Sequence, residues 1–527
     1  MRGHIDEAEY LKLNEAEQDD QENESEGNNQ IMKYLKTHLF GLFFRLNTMK
    51  LSIAVHYHML MIAIEAFQLL SIALNDGKYS ELGPYSTDSP WNLTQTQWLI
   101  DVCWVFRFDR YFRTGENSFL ALLSIIGFFT VSILVIGILL AFVKGLSVSV
   151  MNFLTKIMKG MITLMTNLLF IPFLDTLVFS MSCALNSKSQ CLGLPSGYQY
   201  MILFVMFTLI YFGIVCICGM LYYDMCSMCG GVMAKPHSRF KLLRITAYLA
   251  IICCYYFIDT TGKVILFLVI CLVIGLVLCY VYTQYIPYYN MTMCNLRLAS
   301  IVCFTSAVFC MLIGEFFRNT DQSNSSVTML FYFLTPCLVQ ICHLAVIKRS
   351  RTLLDKKIQH LTNPYQVEIK ARMLVMRLEE AKNKNLKSMY GENDEEDNQE
   401  FRTLQTETLA ELETLFNEAF KKFPNAELLF LWSGLIQLHI FENYILAMVQ
   451  CFKGLVIANK LDSQYALFHF RKTSESFYMS NMKDDAYDYE MFEKAFQNAQ
   501  KNDETVTRSQ FYFWAELESK TPNSEIE

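Results

Sequence analysis

Charge is what this chain has least of. Only 18% of its 527 residues are charged, against about 25% in an ordinary soluble domain. Mean hydropathy is +0.24 and 53% of residues are hydrophobic, which excludes a water-soluble fold for most of the length. The polar parts lack a basic stripe, so nucleic-acid binding is not expected. A basic-then-apolar leader is missing: Met1 to Gln30 is acidic, and the first apolar run must act as its own targeting signal. No Walker loop, GxSxG, HExxH, kinase or cyclase signature occurs. The expectation is therefore no catalytic residue, no cofactor and no enzyme. The 17 Cys lack the even spacing of a secreted disulfide framework. Most lie in apolar runs, where a thiol behaves as a small hydrophobe.

What is present is a series of apolar runs of membrane length. Eight are predicted as spans: Leu51–Leu74, Phe119–Val143, Met161–Cys183, Gln199–Tyr223, Leu242–Ile258, Lys263–Tyr285, Cys294–Phe316 and Val327–Ile347, each about 17–25 residues. Before them, residues 1–30 read as a disordered acidic tail that cannot bury enough to offset its ordering entropy. Residues 31–50 place Leu35, Leu39, Leu42 and Phe43 on one side with Lys33, Lys36, Arg45 and Lys50, the pattern of an interfacial helix. The last span ends in a collar of Lys348, Arg349, Arg351, Lys356 and Lys357, which marks a membrane–cytosol border. Connections rich in Lys and Arg then put both termini in the cytosol of an integral membrane protein. The exception is the first outer loop, with Arg107, Arg110 and Arg113; its QWLIDVCWVFRFDRYF stretch is expected to lie as a helix on the outer leaflet surface.

This orientation places the sequons at Asn92 and Asn324 outside, where glycosylation is possible, and Asn290 inside. Cys183 and Cys191 flank a short outer loop. They are read either as a luminal disulfide or as two free thiols at a membrane edge. Cys226 and Cys229 form a CxxC near the opposite border. Reversible acylation, no special role, and zinc with Cys294 or His237 are all open. Intramembrane charge is expensive and a functional hypothesis by default. His56 and His58 near the start of the first span, Glu65 near its middle and Asp175 in the third are the candidates. They serve either an ion or proton pathway or a packing pair with another span. Pro172 is expected to loosen the helix beside Asp175.

After the collar the pattern is soluble helix. Residues 348–400 hold the collar, a charged helix (Tyr365–Tyr390) and an acidic flexible break, Gly391–Glu400. From residue 401 to 527 helices are predicted at Phe401–Phe423, Glu427–Ile440, Asn443–Asn459, Ala466–Tyr478, Tyr489–Ala499 and Thr507–Leu517. Helical pairs at a spacing of about 34 residues are tetratricopeptide-like. A repeat groove is expected along Leu431, Trp432, Leu435, Tyr444, Phe452 and Trp514, binding a cytosolic protein; the other partner is the lipid bilayer.

The segment KFPNAELLFLWSGLIQLHIFENYILAMVQCFKGL, Lys422 to Leu455, resembles the repeat domain of the tiny macrocysts protein family. Phe423-Pro424, the apolar helix from Leu429 to Ile440, Asn443-Tyr444 and Leu446-Ala447 carry the likeness. FHFRKTSESFY, FEKAFQNAQKN and FYFWAEL continue it. The resemblance implies a polytopic membrane protein with cytosolic helical repeats, and it brings no catalytic residues. The expected fold class is thus all-α, a membrane domain (51–347) followed by a tetratricopeptide-like domain. The expected function is a receptor-like signalling component or scaffold; the alternative is an ion or proton transporter or channel with a helical regulatory domain.

Overall fold

The computed structural model describes residues 32, 34–49, 55–74, parts of 99–113, 115–143, 147–185, 198–224, 233–258, 264–316, 323–388, 394–441 and 443–481. The acidic tail, the helices expected at Tyr489–Ala499 and Thr507–Leu517, and Asn92, Cys191, Cys226, Cys229 and Trp514 lie outside these residues. All regular structure among the described residues is helical. In chain order it is α1 (34–48), then α2 (Val55–Ala73), α3 (Glu116–Phe142), α4 (Val148–Thr163), α5 (Phe170–Leu185), α6 (Tyr198–Leu221), α7 (Arg239–Phe257) and α8 (Val264–Tyr285). After these come α9 (Met291–Phe316), α10 (Ser323–Asp355), α11 (Pro364–Ser388), α12 (Asp394–Lys422), α13 (Glu427–His439), α14 (Tyr444–Ile457) and α15 (Leu461–Asn481).

Seven helices are long and apolar enough to cross a membrane, and up to eight if the bent pair of α4 and α5 is one span. Lipid offers no hydrogen bonds, so each run closes its backbone internally as helix. The chain is by this measure an integral membrane protein. Phe128 and Val131 on α3, Leu203 on α6, Leu276 on α8 and Phe333 on α10 are exposed; in a membrane they face lipid. The inner layer is α2, α5, α7 and α9. α9 packs on α2, α8 and α10, and α5 on α6 and α7. Close approach between α8 and α9 depends on Gly275, where an added Cβ would lie 3.2 Å from Thr305 Cβ. Small residues at such crossings let membrane helices touch.

The third span is not the straight helix Met161–Cys183. α4 and α5 are bent by 69° about a π turn, Leu164–Leu168. Proline explains the site of the break. Pro172 has no N–H to give the carbonyl of Leu168 four residues back. Gln68 of α2 supplies it instead, its Nε2 donating at 3.0 Å. An intramembrane carbonyl freed by one element is thereby satisfied by another.

α10 runs 33 residues without interruption, so the basic collar is the continuation of the last span. α12 begins at Asp394, inside the stretch expected to be a flexible break, and is helical from there. α13 and α14 pack as neighbours across a turn capped by Asn443, whose side chain accepts from Leu446 N. α15 covers both and starts at Leu461, five residues before the expected Ala466. The four helices α12 to α15 measure 29, 13, 14 and 21 residues.

α1 does not rest on bilayer alone. Its Phe40 and Phe43 pack on the Tyr465 ring of α15, at 5.3 and 6.4 Å. Asn47 donates to the Tyr465 hydroxyl at 2.6 Å. Lys159 of α4 donates to the end carbonyls of α1, Leu46 at 3.1 Å and Met49 at 2.5 Å, the terminal groups a helix leaves unpaired. One hydrophobic core consequently runs from Phe40 through the spans to Phe470.

Candidate functional site

Three charged clusters organise the interior. The first surrounds Glu65. It lies near the middle of α2 and is 4% exposed. Its Oε2 pairs with Arg297 of α9. Its Oε1 accepts from the Tyr248 hydroxyl at 3.1 Å and lies 3.4 Å from Arg244 of α7. Three helices are therefore tied by one carboxylate. His56 is exposed and His58 half-buried on the first turn of α2; His58 faces the Arg297 charge.

The second surrounds Asp175 of α5. The stretch expected on the leaflet surface instead inserts Arg107 and Asp109, both fully buried. Arg107 bridges Asp109 at 2.9 Å, Asp175 at 2.5 Å and the Ser71 hydroxyl at 3.1 Å. Arg113 pairs with the same two acids, donates to the Tyr256 hydroxyl at 2.7 Å and stacks 4.3 Å over the Phe179 ring. Tyr256 in turn donates to Asp175 at 3.0 Å. Two cations face two anions, and nearly every donor has an acceptor. Such a balanced buried network is stable only as a whole. Phe106 stacks on Phe67 of α2 at 5.3 Å beside it.

The third joins the spans to the C-terminal helices. Arg239 at the start of α7 donates to Asp462 at 2.6 Å, Glu427 at 2.7 Å, Tyr365 at 2.8 Å and Ser463 at 2.9 Å. Its guanidinium fork thus engages α11, α13 and α15 together. Next to it, Arg372 of α11 pairs with Glu368 and donates to the carbonyls of Ile286 and Tyr288, at 2.8 and 2.6 Å. This fixes the α8–α9 loop. Burial, then the cations Arg239, Arg372 and Lys235, holds the His237 imidazole neutral, its pKa pushed down to about 3. The ring packs between Phe240 and Tyr365, 4.6 and 4.9 Å away.

Both acids singled out in the sequence, Glu65 and Asp175, thus take arginine partners. The sequence places Arg107 and Arg113 in a loop and does not pair them with Asp175; Arg297, the partner of Glu65, is the residue it leaves unremarked. A lone Arg297 inside an apolar run was the available signal, because a charge in lipid needs an opposite charge. Leu431, Trp432 and Leu435 are fully buried in the helical domain; Trp432 packs on Tyr365 at 6.1 Å. They form its core and do not line an open groove. Tyr444 is half-buried, and Phe452 lies under Arg471 at 5.5 Å. Cys183 is disulfide-bonded, while Cys294 is a free, buried thiol. Asn324 is the second residue of α10, and Asn290 caps α9 by accepting from Met293 N at 3.2 Å. Among the described residues no cluster of His, Cys, Asp and Glu could hold a metal. Comparison with protein-family models, curated proteins and solved structures finds no match to this chain.

Proposed function

We propose that the chain is a multi-pass membrane protein acting as a receptor-like signalling component or scaffold, both termini cytosolic, with its C-terminal helices presented to a protein partner. The observation that carries this reading is the Arg239 hub: one residue of a span holds Glu427, Asp462 and Tyr365 of three C-terminal helices. A shift of α7 therefore displaces those helices directly. Such a two-body linkage is what a relay across a border requires.

The partner surface of this proposal is the outer face of α14, where Leu446 and Val456 are exposed, since Leu431, Trp432 and Leu435 are buried in the helical domain's own core. The transporter alternative draws on the same buried acids. It is weakened because Glu65 and Asp175 are already engaged by arginines, leaving the bundle's carboxylates occupied for packing. The test is proximity labelling from a tag at the C-terminus of the full chain in cells. A reproducible set of cytosolic neighbours, reduced in Arg239→Ala, supports the reading. A profile identical to that of an unrelated membrane-tethered tag rejects it. Flux of cations or protons into vesicles holding the wild type, lost in Glu65→Gln, would favour the transporter instead.

A further inference from the structure

At the end of the bundle where α7 begins and α8 ends, buried cations outnumber buried anions. Lys235 precedes α7, Lys241 and Arg244 lie in its first two turns, and Arg297 faces them from α9. All four are more than nine-tenths buried, at 6%, 7%, 2% and 1% exposed. Glu65 is the buried carboxylate paired with Arg244 and Arg297; Asp224, whose carbonyl accepts from Lys235 N at 3.0 Å, is exposed. Four positive charges against one negative leave a surplus of three. The neighbouring Arg372 does not change the sum, because Glu368 neutralises it.

The donors are also left over. Nε of Arg244, Nε of Arg297 and the Ser238 hydroxyl are buried with no hydrogen-bond partner, while Nη1 of Arg244 reaches only the 3.4 Å ion pair with Glu65. The Lys235 ammonium lies over the Tyr288 ring at 4.6 Å rather than against an acceptor. Lys235 faces the charges of Arg244 and Arg297, and Lys241 those of Lys235 and Arg244. Like charges packed together away from water, with donors unfilled, are among the costliest arrangements in a protein. An anion with several acceptor oxygens removes both costs at once.

We propose that Lys235, Lys241, Arg244 and Ser238 bind a phosphate-bearing anion, either the phosphomonoester headgroup of a membrane lipid or inorganic phosphate. A tetrahedral, multiply charged group matches a surplus of this size better than a single carboxylate does. The site lies at the end of the helices and not at mid-span, the depth at which basic pockets between membrane helices meet headgroups. The inference stands apart from the scaffold reading; it concerns what the bundle holds, whatever the C-terminal helices bind.

The test uses the full chain in nanodiscs and reads thermal unfolding. Three conditions are compared at matched ionic strength: phosphatidylcholine alone, the same with inorganic phosphate, and the same with phosphatidylinositol 4-phosphate. The wild type is expected to gain several degrees with one or both anions. A gain with phosphate assigns the free ion, and a gain with the lipid alone assigns the headgroup. Lys241→Gln should weaken the response about tenfold, and the Lys235→Gln/Lys241→Gln pair should abolish it. Because the cations repel one another, that pair should also melt higher than the wild type in phosphatidylcholine alone. Lys156→Gln, on the exposed side of α4, should respond as wild type. The proposal is overturned if neither anion raises the wild-type melting temperature, or if the double variant responds undiminished. Should the double variant not fold, Lys235→Gln alone must show a weakened response; an unchanged one overturns the proposal equally.

Discussion

Replacing Arg239 by alanine is the sharpest perturbation of the link between spans and C-terminal helices. The guanidinium makes four hydrogen bonds, two of them to carboxylates. Its side chain is 28% exposed, and those of Glu427 and Asp462 are 13% and 10% exposed. An exposed ion pair contributes at most about 1 kcal/mol, whereas breaking a buried one costs about 3–5 kcal/mol. This partly buried double pair falls between them, and about 3 kcal/mol is expected. The loss is local, since α7 keeps its Glu65 ties while α13 and α15 lose their anchor. Hydrogen–deuterium exchange in nanodiscs should therefore accelerate about 100-fold in α13 and α15, with α9 unchanged. Arg239→Lys should recover only part, because an ammonium cannot hold two carboxylates and a hydroxyl in one fork. Unchanged exchange in α15, or an equal rise in α9, would refute the reasoning.

Three further outcomes follow from the same contacts. Asp175→Asn leaves Arg107 and Arg113 with Asp109 alone and should cost about 3 kcal/mol in thermal unfolding, with partial recovery on adding Arg113→Gln; a wild-type melting curve for the single variant would deny the network its structural role. His237 is neutral when folded, its pKa about 3 against an ordinary 6.5, so the unfolded chain binds more protons between these values. Its contribution to stability is whole above pH 6.5 and falls by about 1.4 kcal/mol per pH unit below it. His237→Phe should therefore flatten the acid limb of a melting-temperature profile from pH 7.5 to 5.0, and an unaltered limb counts against the assignment. Gly434 sits where an added Cβ would come within 2.7 Å of the Phe470 ring; Gly434→Val should lower stability by about 1–3 kcal/mol through overpacking between α13 and α15, read by chemical unfolding.

Span positions were legible because lipid imposes one solution on an apolar run. Apart from the bent third span and the last helix, which runs on to Asp355, the described helices fall within a few residues of the runs, as in Val264–Tyr285 for Lys263–Tyr285 and Met291–Phe316 for Cys294–Phe316. Pro172 announced a loosened helix but not the angle, which depends on Gln68 reaching Leu168 from another element. The segment around Arg107 misled because its amphipathic pattern suits a surface helix equally well. Only the distant Asp175 and Ser71 draw Arg107 inside. The apolar stripe of α13 was readable as a buried face, yet what covers it was not: Phe470 of α15 and Tyr365 of α11 come from far along the chain. Periodicity reports that a face is buried, never by what.

The C-terminal helices and the spans share one core, with α15 seated on α1. A photo-crosslinking phenylalanine in place of Tyr465 tests it most directly in the full chain in membranes. Phe40 and Phe43 lie against that ring at 5.3 and 6.4 Å, so mass spectrometry should place the crosslink within residues 34–49 of the same chain. Crosslinks found on other proteins or on lipid, with none to that segment, would contradict it.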